Sequence, residues 1–412
     1  MQWLNRVMLK LLIVNILDKE NKMGHWSEAK IKDFAEVKGG KRLPKGKQLI
    51  KESNSHPYIK VRNLGKEKYI QLNSDYEYVD DETQKSIARY IVNKGDILIS
   101  VVGTIGLVGI VGDTLDKANQ TENCDKIINI KNVLPEYLYY YLISSFGQEE
   151  IRKGTVGAVQ PKLPLKNVKD ISVLYPAIEE QERIVNILSS IDKKIEMNNA
   201  INNNLEQQAQ AIYQQMFIEN ASSDWAEGTL SNIADITMGQ SPNGSSYNEE
   251  GNGTIFFQGR AEFGFRFPTV RLYTTEPKRM ACVNDTLMSV RAPVGDLNVA
   301  HTHCCIGRGL AAIHSKNNHQ SFVLYTMFSL KKQLDVFNGE GTVFGSINRN
   351  SLNEMPIIIP SSEKLDEFET LVAPMDASIR NNYDEICHLE KLRDSLLPKL
   401  MSGELDVSDI DI

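Results

Sequence analysis

Cysteine is scarce in this 412-residue chain: there are five, at positions 124, 282, 304, 305 and 387, none in a CxxC pair. An odd, unpatterned set is no disulfide framework, so the chain reads as a protein of a reducing, cytoplasmic compartment. Long apolar runs are also missing. The segment WLNRVMLKLLIVNIL near the N-terminus is interrupted by Lys10, is followed by no small-residue cleavage site and is too short to span a bilayer. Catalytic signatures are missing as well. GTIGLVG (103–109) lacks nucleotide-binding spacing and is followed by no Lys-Ser/Thr pair. There is no methyltransferase-type glycine loop and no Asn-Pro-Pro-aromatic tetrapeptide. The Glu-x-Lys triplets at Glu28 and Glu36 follow no Pro-Asp. His301-Thr-His303-Cys304-Cys305 has no second ligand pair at finger spacing, so it reads as a strand with buried cysteines. No catalytic residue, metal or cofactor is expected.

What the chain has is duplication. WSEAKIKDFAEVKGG (26–40) returns as WAEGTLSNIADITMG (225–239), pairing Trp26 with Trp225 and Gly40 with Gly239. The segment after Pro176 returns after Pro360, pairing Asp192 with Asp376 and Asn198 with Asn382. A period near 200 residues means two large similar units, each able to bury a core of its own.

The echoes after Pro176 and Pro360 carry helical signals. Leu188, Ile191, Ile195, Leu205, Ala209, Ile212 and Met216 recur in steps of three and four, with Asn198 and Asn202 in the missing slots. Val372, Met375, Ile379, Asn382, Ile386, Leu389, Leu396 and Leu400 do the same, with Arg393 in one slot. Such a series predicts coiled-coil helices over 177–218 and 361–402, in which Asn198 and Asn382 fix register. Ser361 or Ser362 can cap the second start, and Gly403 falls where a helix ends. Between the helices, PYIKVRNL (57–64) and TIFFQGRAEFG (254–264) read as corresponding strands, as do 90–106 and 282–295. Residues 134–146 and 319–330 read as amphipathic helices. The fold class is α+β: two similar globular domains separated by long helices forming an antiparallel coiled coil, a pseudo-twofold internal duplication. The N-terminal segment matches the end of the first long helix at the same offset. It is therefore expected to form a helix packing near Leu396–Met401.

The net charge of −7 is unevenly spread. Acidity concentrates in the helical stretches and tail, leaving the globular units neutral to slightly basic, and local charge decides phosphate contact. Residues 38–68 hold ten Lys/Arg against Glu52 and Glu67. In 260–279, Arg260, Arg266, Arg271, Lys278 and Arg279 interleave with Phe263, Phe265, Phe267 and Tyr273. The arginine fork suits base reading. The candidate DNA-binding residues are Lys41, Arg42, Lys45, Lys47, Lys60, Arg62, Lys66, Lys68, Arg260, Arg266, Arg271 and Arg291.

The order of these features resembles the specificity subunit of type I restriction–modification systems. The residues that carry the likeness are the tryptophan openings of each half, GQSPNGSSYNEEG (239–251), the strand GDILIS, the helix opening Glu-Gln-Glu-Arg-Ile-Val after Pro176, and LLPKLMSGEL (396–405). Lys364-Leu-Asp-Glu departs from the Glu-Gln-Glu-Arg pattern. The resemblance implies two target-recognition domains, at 24–175 and 221–359. It implies spacer helices at 176–220 and at 360–412, the latter with an acidic tail; the N-terminal helix over 1–23, read from the repeat offset, lies outside the resemblance and is unusual for the family. It also implies a non-catalytic, cytoplasmic subunit that binds double-stranded DNA at a bipartite target, two modification (methyltransferase) subunits and, in the full complex, restriction subunits. The other reading of the residues is a structural adaptor that joins two proteins without touching DNA.

Overall fold

The computed structural model describes residues 26–339 and 345–407. The expected N-terminal helix lies outside them. The chain divides into two compact units, Met1–Ile195 with Cys387–Ile412, and Glu196–Ile386. Both contain the same frame of mixed α/β structure.

In the first unit, a two-stranded ribbon (Ser27–Lys30 with Ser172–Tyr175) closes the globular part. The strands Glu36–Gly39, Cys124–Ile128, Ile97–Ser100 and Val108–Val111 lie side by side in an antiparallel sheet, with Tyr69–Ile70 at its edge. A smaller sheet pairs Pro57–Ile59 in parallel with Asn119–Gln120 and antiparallel with Glu77–Tyr78. Ile97, Leu98 and Ile99 are all fully buried, so alternate side chains serve opposite faces and both faces are covered. The second unit repeats the plan. Ala226–Thr229 pairs with Pro356–Ile359. The order Ala234–Met238, Leu310–Ser315, Thr286–Ser289, Leu297–Val299 makes the main sheet. Thr254–Phe257 pairs in parallel with Cys304–Ile306 and antiparallel with Leu272–Thr274. The expected strands at 57–64 and 254–264 therefore correspond, but each is shorter than read. A 3₁₀ turn at Val61–Asn63 or Arg260–Glu262 ends the extended run, closed by the side chain of Asn63 or Glu262 bonding back to the backbone. Cys304 and Cys305 are buried strand residues, as read.

The long helices cover Ile178–Tyr213, continued by a π-turn over Gln214–Glu219, and Ser362–Met401. Within each unit their segments pair antiparallel. In the second unit Asn198 bonds Glu385 and Asn202 bonds Asn382, both at 2.8 Å. In the first unit Asp192 meets Arg393 at 3.3 Å. Helix Pro135–Ile143 buries Tyr137, Leu138 and Tyr140, the last bonded to Ser189 and Asp192 of the first long helix, and Gln320–Ser329 buries Phe322 and Tyr325 with Phe368. Each large apolar side chain so covered contributes about 1.5–3 kcal/mol. Gln181, fully buried, accepts from Leu134 N–H and donates to the Pro176 and Asn132 carbonyls. Its counterpart Leu365 is a core side chain. The departure from Glu-Gln-Glu-Arg thus replaces a bonded polar residue by an apolar one at a buried site.

The helix ends repeat too. Phe217 packs on Trp225 at 5.9 Å. Gly403 takes φ +70°, a turn that favours glycine, and a Cβ there would lie 3.1 Å from the Trp26 ring. Each globular part therefore seats its opening tryptophan on the end of a long helix.

Candidate nucleic-acid interface

The twelve candidate cations fall into three groups. Lys68 and Arg266 are buried, at 8% and 4% exposure, and are withdrawn from the surface readers. Lys68 donates to Ser189 Oγ at 2.8 Å and to the Tyr140 hydroxyl at 3.3 Å. Arg266 donates to Asp376 at 3.2 Å and to the Tyr325 hydroxyl at 3.1 Å, and it pairs with Glu206 at 3.0 Å. Tyr140 in turn donates to Asp192 at 2.5 Å, and Tyr325 donates to Asp376 at 2.9 Å. Burial pushes both tyrosine hydroxyls, and the Glu206 carboxyl, above their ordinary values. These are clamps that hold a globular part to a helix. Of the phenylalanines around Arg266, Phe267 belongs to the same packing, being buried and 4.8 Å from the Tyr383 ring, whereas Phe265 is exposed.

Six others sit in surface ion pairs. Lys47 meets Asp80 and Glu82, Lys60 and Arg62 meet Glu77, and Arg42 meets Glu122. Arg260 meets Asp296 and Arg271 meets Glu262. Four of the ten cations in 38–68 are thus met by carboxylates from 77–122. Each exposed pair is worth about 0–1 kcal/mol, so a phosphate can compete for its cation. The remaining four, Lys41, Lys45, Lys66 and Arg291, are exposed.

The backbone brings three loops of each unit to one corner, where the two sheets meet. In the first unit Gly40 N–H donates to the Cys124 carbonyl and Lys41 N–H to that of Gln120. In the second, Gly239 N–H donates to Leu310 and Gln240 N–H to Ile306. A Cβ on Gly40 would stand 2.0 Å from Thr121 O, and one on Gly239 would stand 2.1 Å from Gly307 O. Only glycine lets these loops touch. The third loop precedes the central strand: Ile91 bridges Asn119, and the Arg279 carbonyl accepts from Ile306 N–H. The corner places Lys41 and Arg89 over the Tyr90 ring, at 5.7 and 5.1 Å. Its counterpart carries Lys278, Arg279 and Arg308, all exposed. Charge counting noted Lys278 and Arg279 without selecting them and missed Arg89 and Arg308, which stand alone in the sequence. The signal was positional: both lie beside the duplicated strands.

In the helical seam, Asn198 is buried and donates to Glu385, while Asn382 donates to Asn202. A buried polar pair of this kind costs stability when misaligned, which is how a seam residue sets register.

A family model described as "Type I restriction modification DNA specificity domain" matches residues 23–207 and 222–368. The chain is 30% identical over 406 residues to the putative type I restriction enzyme MjaX specificity subunit of Methanocaldococcus jannaschii, covering 93% of this chain and 94% of that one. It is 22% identical to the type I restriction enzyme HindI specificity subunit of Haemophilus influenzae, covering 85% and 95%. Among solved structures, the type I restriction–modification S subunit from M. genitalium superposes with a TM-score of 0.56 at 19% identity, over 93% of this chain and 98% of that one, a likeness of fold.

Proposed function

The chain belongs to the type I restriction–modification specificity family, with two DNA specificity domains, and we propose that each of its units reads one half of a bipartite, asymmetric DNA target. The target-recognition domains are assigned to 24–175 and 221–359, the first spacer helix to 176–220, and the second spacer helix with an acidic tail to 360–412. The protein performs no chemistry itself. It positions two modification subunits, and restriction subunits in the full complex, in the cytoplasm. Among the described residues no helix is long and apolar enough to cross a membrane.

One observation carries this reading. The two units share strand order and the Gly40/Gly239 contact, yet the side chains on that frame differ. Lys41 and Arg42 stand where the second unit has Gln240 and Ser241. Equivalent frames with unlike surfaces suit two different half-sites. A net charge of −7 suits a reader whose partners supply much of the phosphate grip.

The test is a mobility shift with and without the modification subunits, alongside methylation mapping in the source cell. A two-part motif with a fixed gap is expected. Absence of DNA binding under both conditions would instead fit the adaptor reading.

A further inference from the structure

We infer that the three-loop corner is the base-reading surface of each unit, with Arg89 as the principal reader in the first and Arg279 and Arg308 in the second. The inference rests on the DNA-recognition reading and names the residues that perform it. In the interleaved-arginine segment Arg266 is buried, and Arg260 and Arg271 already face Asp296 and Glu262, so the unpaired cations of the corner are the first choice.

Three observations converge on the corner. First, its cations are exposed, and among the described residues Lys41, Arg89, Lys278, Arg279 and Arg308 form no ion pair with a carboxylate. Most other candidate cations are already engaged. Second, Arg89 is prearranged. Its guanidinium lies 5.1 Å over the Tyr90 ring and donates to the Tyr90 hydroxyl at 3.1 Å. A guanidinium positioned by a ring and its hydroxyl has less freedom to lose on binding, and its remaining N–H groups can donate to guanine O6 and N7. Lys41 flanks the same ring at 5.7 Å, a point charge suited to a phosphate. Third, the corner recurs in the second unit on the same backbone bonds, with the chemistry rearranged. Arg308 N–H donates to Ser241 Oγ at 3.3 Å, and Arg308 follows Gly307 as Glu122 follows Thr121. At equivalent points the first unit has Arg42 paired to Glu122 and the second has Ser241 beside Arg308. A carboxylate accepts from the cytosine amino group and an arginine donates to guanine, so the two corners select different bases.

The experiment uses the full chain in complex with its modification subunits, and duplexes carrying the mapped motif or single base changes in one half. Arg89→Ala is expected to reduce discrimination at one half-site by roughly 10- to 100-fold, the scale of one bidentate contact, and to leave the other half intact. Arg89→Lys should restore general affinity but not discrimination. Arg279→Ala with Arg308→Ala should do the converse. Lys51→Ala and Lys332→Ala, exposed cations away from the corner, should leave discrimination unchanged. Melting temperatures of all variants should match the parent, because every altered side chain is exposed. If the parent complex binds a two-part site and the corner variants discriminate as it does, this assignment is wrong while the DNA-recognition reading stands. Equal losses from the control lysines would also overturn it. If the parent complex binds no duplex, the broader reading fails first.

Discussion

Lys68 and Arg266 hold the same place in their respective units. Each is buried against a tyrosine, Tyr140 or Tyr325, whose hydroxyl donates to an aspartate of a long helix, Asp192 or Asp376. The main-chain carbonyl of each accepts a strand N–H, from Ile110 in one case and Val299 in the other, at 2.8 Å in both. The duplicated aspartates are thus the helix side of a clamp whose other half comes from the globular part.

Arg266→Met should therefore cost stability rather than specificity. It strands Asp376 and Glu206 in a buried setting, and breaking such a set costs about 3–5 kcal/mol. Tyr325→Phe, which removes one hydroxyl, should cost about 1–3 kcal/mol. Urea titration of both variants checks the order. A change in the methylated sequence without loss of stability would return Arg266 to the readers.

Asp125 predicts a pH dependence. It lies opposite Gly39 in the main sheet, and burial raises its carboxyl from 3.8 to about 6, against a small opposing pull from Lys169. Between these values the native protein holds a proton that the unfolded chain has released. Native protonation exceeds unfolded protonation there, so stability falls as pH rises through the window. The effect is complete above pH 6 and absent below pH 4. Asp125→Asn should remove this component: its stability advantage over the parent should grow from pH 4 to pH 6 and then level off. Denaturant midpoints at pH 4.5, 5.5 and 7 measure it, and a constant difference would exclude the assignment.

Gly40→Ala and Gly239→Ala should be equally damaging. Each added methyl meets a carbonyl oxygen near 2 Å, and both partners are backbone. Relieving the overlap requires moving the loop, at about 1–3 kcal/mol or more. Gly46→Ala is no neutral comparison, because its φ of +86° strains any side chain. Gly244→Ala, with open space and no left-handed φ, should be tolerated. Hydrogen exchange at 39–42 and 120–124 reads the damage locally.

Exchanging residues 225–350 for the same segment of a relative should change one half of the recognised sequence and preserve the other. Methylation mapping decides this, and alteration of both halves would end the idea of independent readers.

The duplication, the long helices and their antiparallel seam were legible in the sequence, because heptad spacing and the repeated Asp192/Asp376 and Asn198/Asn382 depend on local order. Gly40 and Gly239 were visible as an echo, and the structure supplies the reason in a backbone contact. The corner was not legible as a site. Its loops at 39–42, 89–90 and 120–122 converge only through strand pairing. Counting charge by window could not show that Glu77, Asp80, Glu82 and Glu122 return to 38–68 in space. Arg266 among phenylalanines looked like a reader because core packing and base reading draw on the same residue types. Its match to Lys68 at an offset of 198 was the available clue.

The division of the chain has a consequence for synthesis. The second unit is contiguous, Glu196–Ile386, while the first needs both Met1–Ile195 and Cys387–Ile412. A ribosome therefore completes the second unit first, and the globular part made earliest waits longest for its missing helix. Until residues 387–403 emerge, Asp192 lacks Arg393, the first helix lacks its antiparallel partner in this unit, and Trp26 lacks the turn at Gly403. A nascent chain halted before residue 387 carries one finished reader and one with its apolar helix face uncovered, the kind of surface that chaperones hold.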